Sequence, residues 1–333
     1  SDSNADTASS QGIYVSLDEL VRLGLSARGF SFLPRQPIHS ILSGRHASRL
    51  RGRGMDFNEL KPYRQGDDTR NIDWKATRRT GKSYVRVYNE QRDRSVWVLV
   101  SQQSDMFFGS SLQMKSVSAA HAAALSLFRV IGVGDRAGAV VYNDSRVAEF
   151  KPQKSRRNVM RILEEVVAQN NSLSANMSAN TGSLENEQKS PVAESSQLNA
   201  ALERVVAAAK HDDLIVLIGD GSGVNEKAMQ QITRLSAHND ILALMIYDPL
   251  EQKLPEHGSL LFNDARQYLD INTSDSNFQQ RFTSLFAEKL QRLESASRSR
   301  SIPLLKISTH RPVLEQVQRE LGTVQSSAFK QRA

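Results

Sequence analysis

"VWVLVSQQSDMFFGS", Val96–Ser110, is the stretch that decides the fold. It opens on a continuous apolar run with β-branched residues, the pattern of a strand buried on both faces. A polar loop follows. Met114–Ile131, "MKSVSAAHAAALSLFRVI", is Ala-rich and strongly helical. Strand, polar loop and helix in succession form the unit of an α/β fold. Its loop lies where strand ends and helix N-termini converge, the usual place for ligands and metals.

The alternation continues downstream. "DRAGAVVYND" and "RVAEFKP" read as a strand pair turning at Asn143-Asp144. Ser155–Ala168 is amphipathic, with Val159, Ile162, Leu163 and Val166 at helical spacing. Residues 170–196 are rich in Ser and Asn and low in aromatics; they bury too little apolar area to offset their ordering entropy and read as a flexible insertion. Then come a helix at Gln197–Lys210, the strand "LIVLIGD", a helix at Asn225–Ala237 and the strand "ILALMIYD". "SLLFND" and "RQYLDI" suggest a hairpin. A long helix from Ser276 to about Ser299, the strand "PLLKIST" and a helix at Val313–Leu321 close the chain. This order predicts a Rossmann-like parallel sheet with helices on both faces.

The N-terminal part differs. Residues 1–12 are polar and read as a disordered tail. A short helix with a capping box, Ser16 with Glu19, is followed by irregular Gly- and Arg-rich sequence up to Arg94. The expected organisation is therefore a tail (1–12), an irregular, partly β N-terminal block (13–94) and an α/β domain (95–333) carrying the insertion.

Composition narrows the class. The chain has 333 residues, 39% hydrophobic and 24% charged, and no cysteine, which excludes disulfides, thiolate metal sites and Cys nucleophiles. No apolar run approaches the ~18 residues that span a bilayer, and no signal-peptide pattern opens the sequence, so a soluble, cytoplasmic protein is expected. Arg45–Arg94 holds 14 Lys/Arg against 7 Asp/Glu, and the net charge of the whole chain is +7, so the excess positive charge is confined to this segment.

Several constellations bear on chemistry. Asp67, Asp68 and Asp73 lie among Arg64, Arg70, Lys75, Arg78 and Arg79. Acids so placed could hold hard cations for phosphodiester chemistry, but the neighbouring cations favour a structural ion-pair network. Tyr63, Trp74, Tyr84 and Tyr88 interleave with basic residues, a pattern shared by nucleic-acid surfaces and protein interfaces. "GDGSG", Gly219–Gly223, follows a strand and precedes a helix, yet its spacing is not that of a dinucleotide fingerprint, and no Walker motif is present. The seven histidines form no HExxH pair, and no GxSxG elbow marks a nucleophilic serine.

Arg51–Val100 resembles the hallmark block of the domain-of-unknown-function 58 family: a Gly-x-Gly-x-x-Phe start, "GDD-x-R-x-IDW" with Asp67, Asp68, Arg70, Asp73 and Trp74, an Arg-Thr-Gly-Lys turn and a Glu-x-x-x-Arg end. The similarity continues through "FFGS", "GDRAGAVVY" and "YDPLEQKLPEHG". The resemblance implies a von Willebrand factor A-type domain, no established catalytic activity, and partners among MoxR-type AAA+ ATPases and other von Willebrand A proteins. It also implies a metal-ion-dependent adhesion site, whose ligand positions are held here by Ser101, Gln103 and Asp105 in the first loop, Ser196 in the second and Asp220 at the later strand. Mg²⁺ is usually anchored by one or two carboxylates in near-octahedral geometry. With no acid at 101 and an amide at 103, a degenerate site is expected, without a resident cofactor. The expected function is a non-enzymatic adaptor. The alternative is a metal-dependent phosphoesterase or nucleic-acid-binding protein using Asp67, Asp68 and Asp73 with the basic 45–94 segment.

Overall fold

The computed structural model describes residues 12–27, 55–63, 69, 72–90, 93–173, 196–253, 259–264, 267–272 and 276–321. The chain divides into two compact units, residues 38–93 and residues 1–37 together with 94–333.

Helix α1 (Leu17–Leu25) precedes the smaller unit, which contains strand β1 (Met55–Pro62), helix α2 (Trp74–Thr80) and strand β2 (Tyr84–Glu90). The strands pair antiparallel from Met55↔Glu90 to Pro62↔Tyr84, with a bulge between Phe57 and Glu59. The Asp73 carboxylate caps α2 by accepting from the amides of Lys75 and Ala76, both at 3.0 Å. Gly81 ends the helix at φ 70°, a left-handed conformation that favours glycine, and its N–H returns to the Thr77 carbonyl. The Arg-Thr-Gly-Lys turn is thus a helix stop.

The larger unit is built on a six-stranded sheet. Its strands are β3 (Ser95–Ser101), β4 (Arg136–Tyr142), β5 (Val147–Gln153), β6 (Leu214–Gly219), β7 (Asp240–Tyr247) and, after the separate hairpin β8 (Ser259–Asp264) and β9 (Gln267–Asn272), β10 (Leu304–Ser308). The spatial order is β10-β7-β6-β3-β4-β5, parallel throughout except for β5 at the edge. This is the doubly wound 3-2-1-4-5-6 order of a Rossmann-like fold, as expected for a von Willebrand A-type domain. The winding reverses between β3 and β6, so the crevice at the switch point opens beyond Ser101 and Gly219.

Side chains alternate between two cores. Val96, Val98 and Val100 face helices α3 (Lys115–Gly132) and α4 (Arg156–Asn171). Trp97 and Leu99 face α5 (Ser196–Ala208) and α6 (Glu226–Ser236). Covering both faces explains the unbroken apolar run of β3. Ala119, Ala120, Ala122, Ala123 and Ala124 are all buried, and their small side chains let α3 lie close against its neighbours. A short helix α7 (Pro249–Gln252), the long α8 (Ser276–Ser299) and α9 (Val313–Leu321) complete the unit.

Three details depart from the sequence reading. Helix α1 belongs with the α/β unit and not with the N-terminal block. Leu20 is fully buried, and Gly24 leaves room for the Phe128 ring, which a Cβ there would approach to 1.9 Å. Only the Ser16 half of the expected capping box forms: Ser16 Oγ accepts from the Glu19 amide, while the Glu19 carboxylate pairs with His121 Nε2 at 2.8 Å. The insertion begins later than expected. Asn170 and Asn171 continue α4, and Asn170 is completely buried, accepting from the Val15 amide and donating to the Gln102 side chain. A polar side chain with buried partners stays ordered where composition alone suggests a loop. The remainder of the insertion, 174–195, lies outside the described residues.

Gly138 tests the β4–β5 edge. A Cβ there would lie 2.7 Å from both the Phe150 carbonyl oxygen and the Pro152 nitrogen, main-chain atoms that cannot rotate away. Gly138→Ala is expected to destabilise the protein by about 1–3 kcal/mol, the usual range for overpacking. Chemical denaturation measures this, and an unchanged midpoint would contradict the packing.

Candidate functional site

The loop after β3 divides its side chains between the two faces of the sheet. Gln102 turns to the α3–α4 side, fully buried, donating to the Ser116 carbonyl at 3.0 Å and accepting from Asn170 at 2.9 Å. Ser101 and Gln103 stay at the switch point, Ser101 Oγ donating to Gln103 Oε1 at 3.4 Å. Ser104–Met106 forms a single 3₁₀ turn that carries Asp105. Burial, then the neighbouring Asp220 carboxylate, raises the Asp105 pKa to about 6, and its Oδ1 is shielded from water without a hydrogen-bond partner.

Across the crevice, Asp220 follows β6 and is buried. Its Oδ1 accepts from the Ser222 amide at 2.9 Å. Its Oδ2 accepts from Ser222 Oγ at 2.9 Å and from the ammonium groups of Lys115 and Lys289, each at 3.0 Å. Lys115 opens α3, is 2% exposed, and also donates to Glu251 Oε1 at 2.9 Å. Lys289, from α8, reaches in from the surface and donates to Ser222 Oγ as well. Burial works against both charged forms at the centre, but mutual attraction prevails. Asp220 is held well below the ordinary carboxylate range by the two lysines, and Lys115 well above the ordinary ammonium value by Asp220 and Glu251.

A second cluster lies at the same edge of the sheet. Asp248, at the end of β7, is buried and accepts from the Ser110 amide at 2.9 Å, Ser110 Oγ at 2.6 Å, the Leu250 amide at 2.9 Å and Thr309 Oγ1 at 2.5 Å. His310 Nε2 sits 2.8 Å from Ser110 Oγ. Serine, histidine and aspartate meet here, but the wiring is not that of a nucleophilic triad. Ser110 gives its proton directly to Asp248, and no His310–Asp248 bond orients the imidazole. Burial pushes the Asp248 pKa up, but these hydrogen bonds outweigh it and hold the carboxyl ionised. The cluster latches the loop after β3 onto the ends of β7 and β10.

Ser101, Gln103, Asp105 and Asp220 therefore come together, while Ser196 begins α5. As a divalent-metal site the arrangement does not fit. The carboxylate expected to anchor the ion has four donors on its two oxygens, two of them ammonium groups that a cation would have to displace. In the hallmark block, Asp73 is a helix cap, Trp74 is 66% exposed, and Asp67, Asp68 and Arg70 lie outside the described residues. The "GDGSG" turn serves Asp220: Gly221 and Gly223 take φ 80° and 74° and bring Ser222 back onto the carboxylate. Sequence reasoning missed Lys115, Lys289 and Glu251. Lys115 did leave a signal. It is the sole Lys, Arg, Asp or Glu between Asp105 and Arg129, and it stands at a helix N-terminus, where the dipole disfavours a cation unless carboxylates compensate.

Fold and site together define a doubly wound α/β protein with an ion-paired polar cluster at its switch point. The chain belongs to the family described as "Protein of unknown function DUF58", whose model matches residues 59–292. An uncharacterized protein of Mycobacterium bovis and two of Mycobacterium tuberculosis are each 24% identical over 310 residues, covering 92% of both chains. Among solved structures, an aerotolerance-related membrane protein from Bacteroides fragilis aligns with 68% of this chain and 98% of its own at 13% identity and a TM-score of 0.36. The conserved hypothetical protein BatB from Bacteroides thetaiotaomicron does so over the same shares at 10% and 0.34. Among the described residues, no helix is long and apolar enough to cross a membrane.

Asp105 supplies a pH test. Its folded pKa of about 6 exceeds the ordinary aspartate value of 3.8, so the native state binds the proton more tightly than the unfolded chain. Asp105 thus lowers stability above pH about 6, and that cost is relieved as the pH falls from about 6 towards 4. Asp220, Lys115 and Lys289 are the charged groups facing it. Asp105→Asn is expected to stabilise the protein by about 1–3 kcal/mol at pH 8, with the difference from wild type vanishing near pH 4. Denaturation across this range measures it; a variant less stable than wild type at pH 8 would contradict the assignment.

Proposed function

We propose that the protein is a non-enzymatic interaction module whose partner, a MoxR-type AAA+ ATPase, docks at the strand C-terminal edge, and that it acts as an adaptor in complex assembly or a stress response. One observation carries the reading. The carboxylates at this edge, Asp105 excepted, are engaged with one another or with protein donors: Asp220 with two lysines, Asp248 with four donors, and Glu251 with Lys115 and the Asp248 amide, while Asp105 keeps one buried oxygen unpartnered. What the edge offers outward is surface. Leu112, near Ser110, is exposed. A cleft partly open to solvent is floored by Leu99, Leu217 and Met245 and rimmed by Asp220, Gly221 and Ser222. An apolar floor with a polar rim suits an anchoring side chain of a protein partner. In the smaller unit, exposed Trp74 beside Arg78 and Arg79 offers a second such surface, since Trp and Arg dominate interface anchors. The ATPase as partner rests on the family resemblance. A degenerate adhesion site would leave docking to shape and to these anchors.

Affinity capture from the native host, with and without ATP and Mg²⁺, tests the reading. An AAA+ ATPase recovered with wild type and reduced several-fold with Trp74→Ala or Leu112→Asp is the expected outcome. Recovery of nucleic acid in its place, or Mg²⁺-stimulated phosphodiester hydrolysis by the pure protein, would contradict it.

A further inference from the structure

We infer that Lys115 is a built-in cation: its ammonium supplies, from within the chain, the positive charge that a divalent ion would bring to this crevice, and the site is complete without metal. Three observations converge. First, Lys115 is 2% exposed, and burying an ammonium is costly unless carboxylates meet it. Two do, Asp220 at 3.0 Å, directly after β6, and Glu251 at 2.9 Å, in the short helix α7 that follows β7. Second, Asp220, the carboxylate left at the late-strand ligand position, has its lone pairs taken by protein donors. Third, Lys115 enters from the first turn of α3. Side chains at a helix start point away from the helix body toward the preceding loop, which here is the loop after β3. The ammonium therefore approaches the crevice from the side of the loop that carries Gln103 and Asp105.

The two lysines have different roles. Lys289 is 24% exposed and can turn to solvent, whereas Lys115 has nowhere to go. Removing Lys115 leaves Asp220 and Glu251 facing each other with Asp105 nearby, a set of hard oxygen donors short of one cation. The inference stands whatever docks at this edge, because its test reads metal binding and not partner recovery.

The test uses the full chain and Mn²⁺ alone as the probe, with thermal unfolding and paramagnetic detection of bound Mn²⁺ as readouts. Wild type is expected to melt at the same temperature in Mn²⁺ and in chelator. Lys115→Ser, which opens space and adds an oxygen, is expected to melt lower in chelator, rise by several degrees in Mn²⁺ and bind it saturably. Adding Asp220→Asn is expected to abolish that rise. Should Lys115→Ser not fold in chelator, refolding in Mn²⁺ becomes the readout, and recovery of folded protein supports the inference. It is overturned by Mn²⁺ stabilising wild type through Asp220, by a folded Lys115→Ser that takes up no Mn²⁺, or by no refolding in either condition.

Discussion

The ammonium of Lys115, held between Asp220 and Glu251, is the interaction around which the crevice is arranged. It joins the start of α3 to the ends of β6 and β7, elements that a doubly wound sheet places around its switch point. Each charge is buried at a cost that the others offset. Breaking a buried pair by removing one partner typically costs about 3–5 kcal/mol, because an uncompensated charge is left behind. The energetics are therefore coupled: Asp220 stays ionised because two lysines face it, and Lys115 stays charged because carboxylates do. Asp105 feels the same charges without an ion pair of its own: burial and the Asp220 carboxylate raise its pKa more than the two lysines lower it, and one of its oxygens has no partner.

Two further polar contacts hold the loop between β3 and α3 in the shape this requires. Gln102 pins its start to α3 and α4 through Ser116 and Asn170. The bonds from Ser110 to Asp248 pin its far end to β7, and Thr309 and His310 add β10 to the same cluster. Such networks are satisfied only in one arrangement, so they specify geometry as much as they add stability. The residues of the loop that look most like ligands or catalysts are largely occupied with holding the loop itself.

Much of the fold was legible in the sequence because its determinants are local. The apolar run of β3, the Ala-rich α3 and the Asn143-Asp144 turn each carry their structure in a few adjacent residues. The grouping of Ser101, Gln103, Asp105 and Asp220 was implied by the family resemblance, and the adjacency of β3 and β6 in the sheet accounts for it. What could not be read was long-range pairing of charge. Lys115 meets a carboxylate 105 residues away and another 136 away, and Lys289 reaches back 69. The same limit explains Asn170: by composition it belongs to a loop, and its partners Val15 and Gln102, 155 and 68 residues distant, make it core. Glu19 likewise looked like half of a capping box, while its partner, His121, lies on another helix.

The most direct measurement is the ¹⁵Nζ resonance of Lys115 in the native protein, with and without excess Mg²⁺. A slowly exchanging ammonium that Mg²⁺ leaves unshifted is the result this account requires. A rapidly exchanging, solvent-like amine, or a resonance displaced as Mg²⁺ is added, would contradict it.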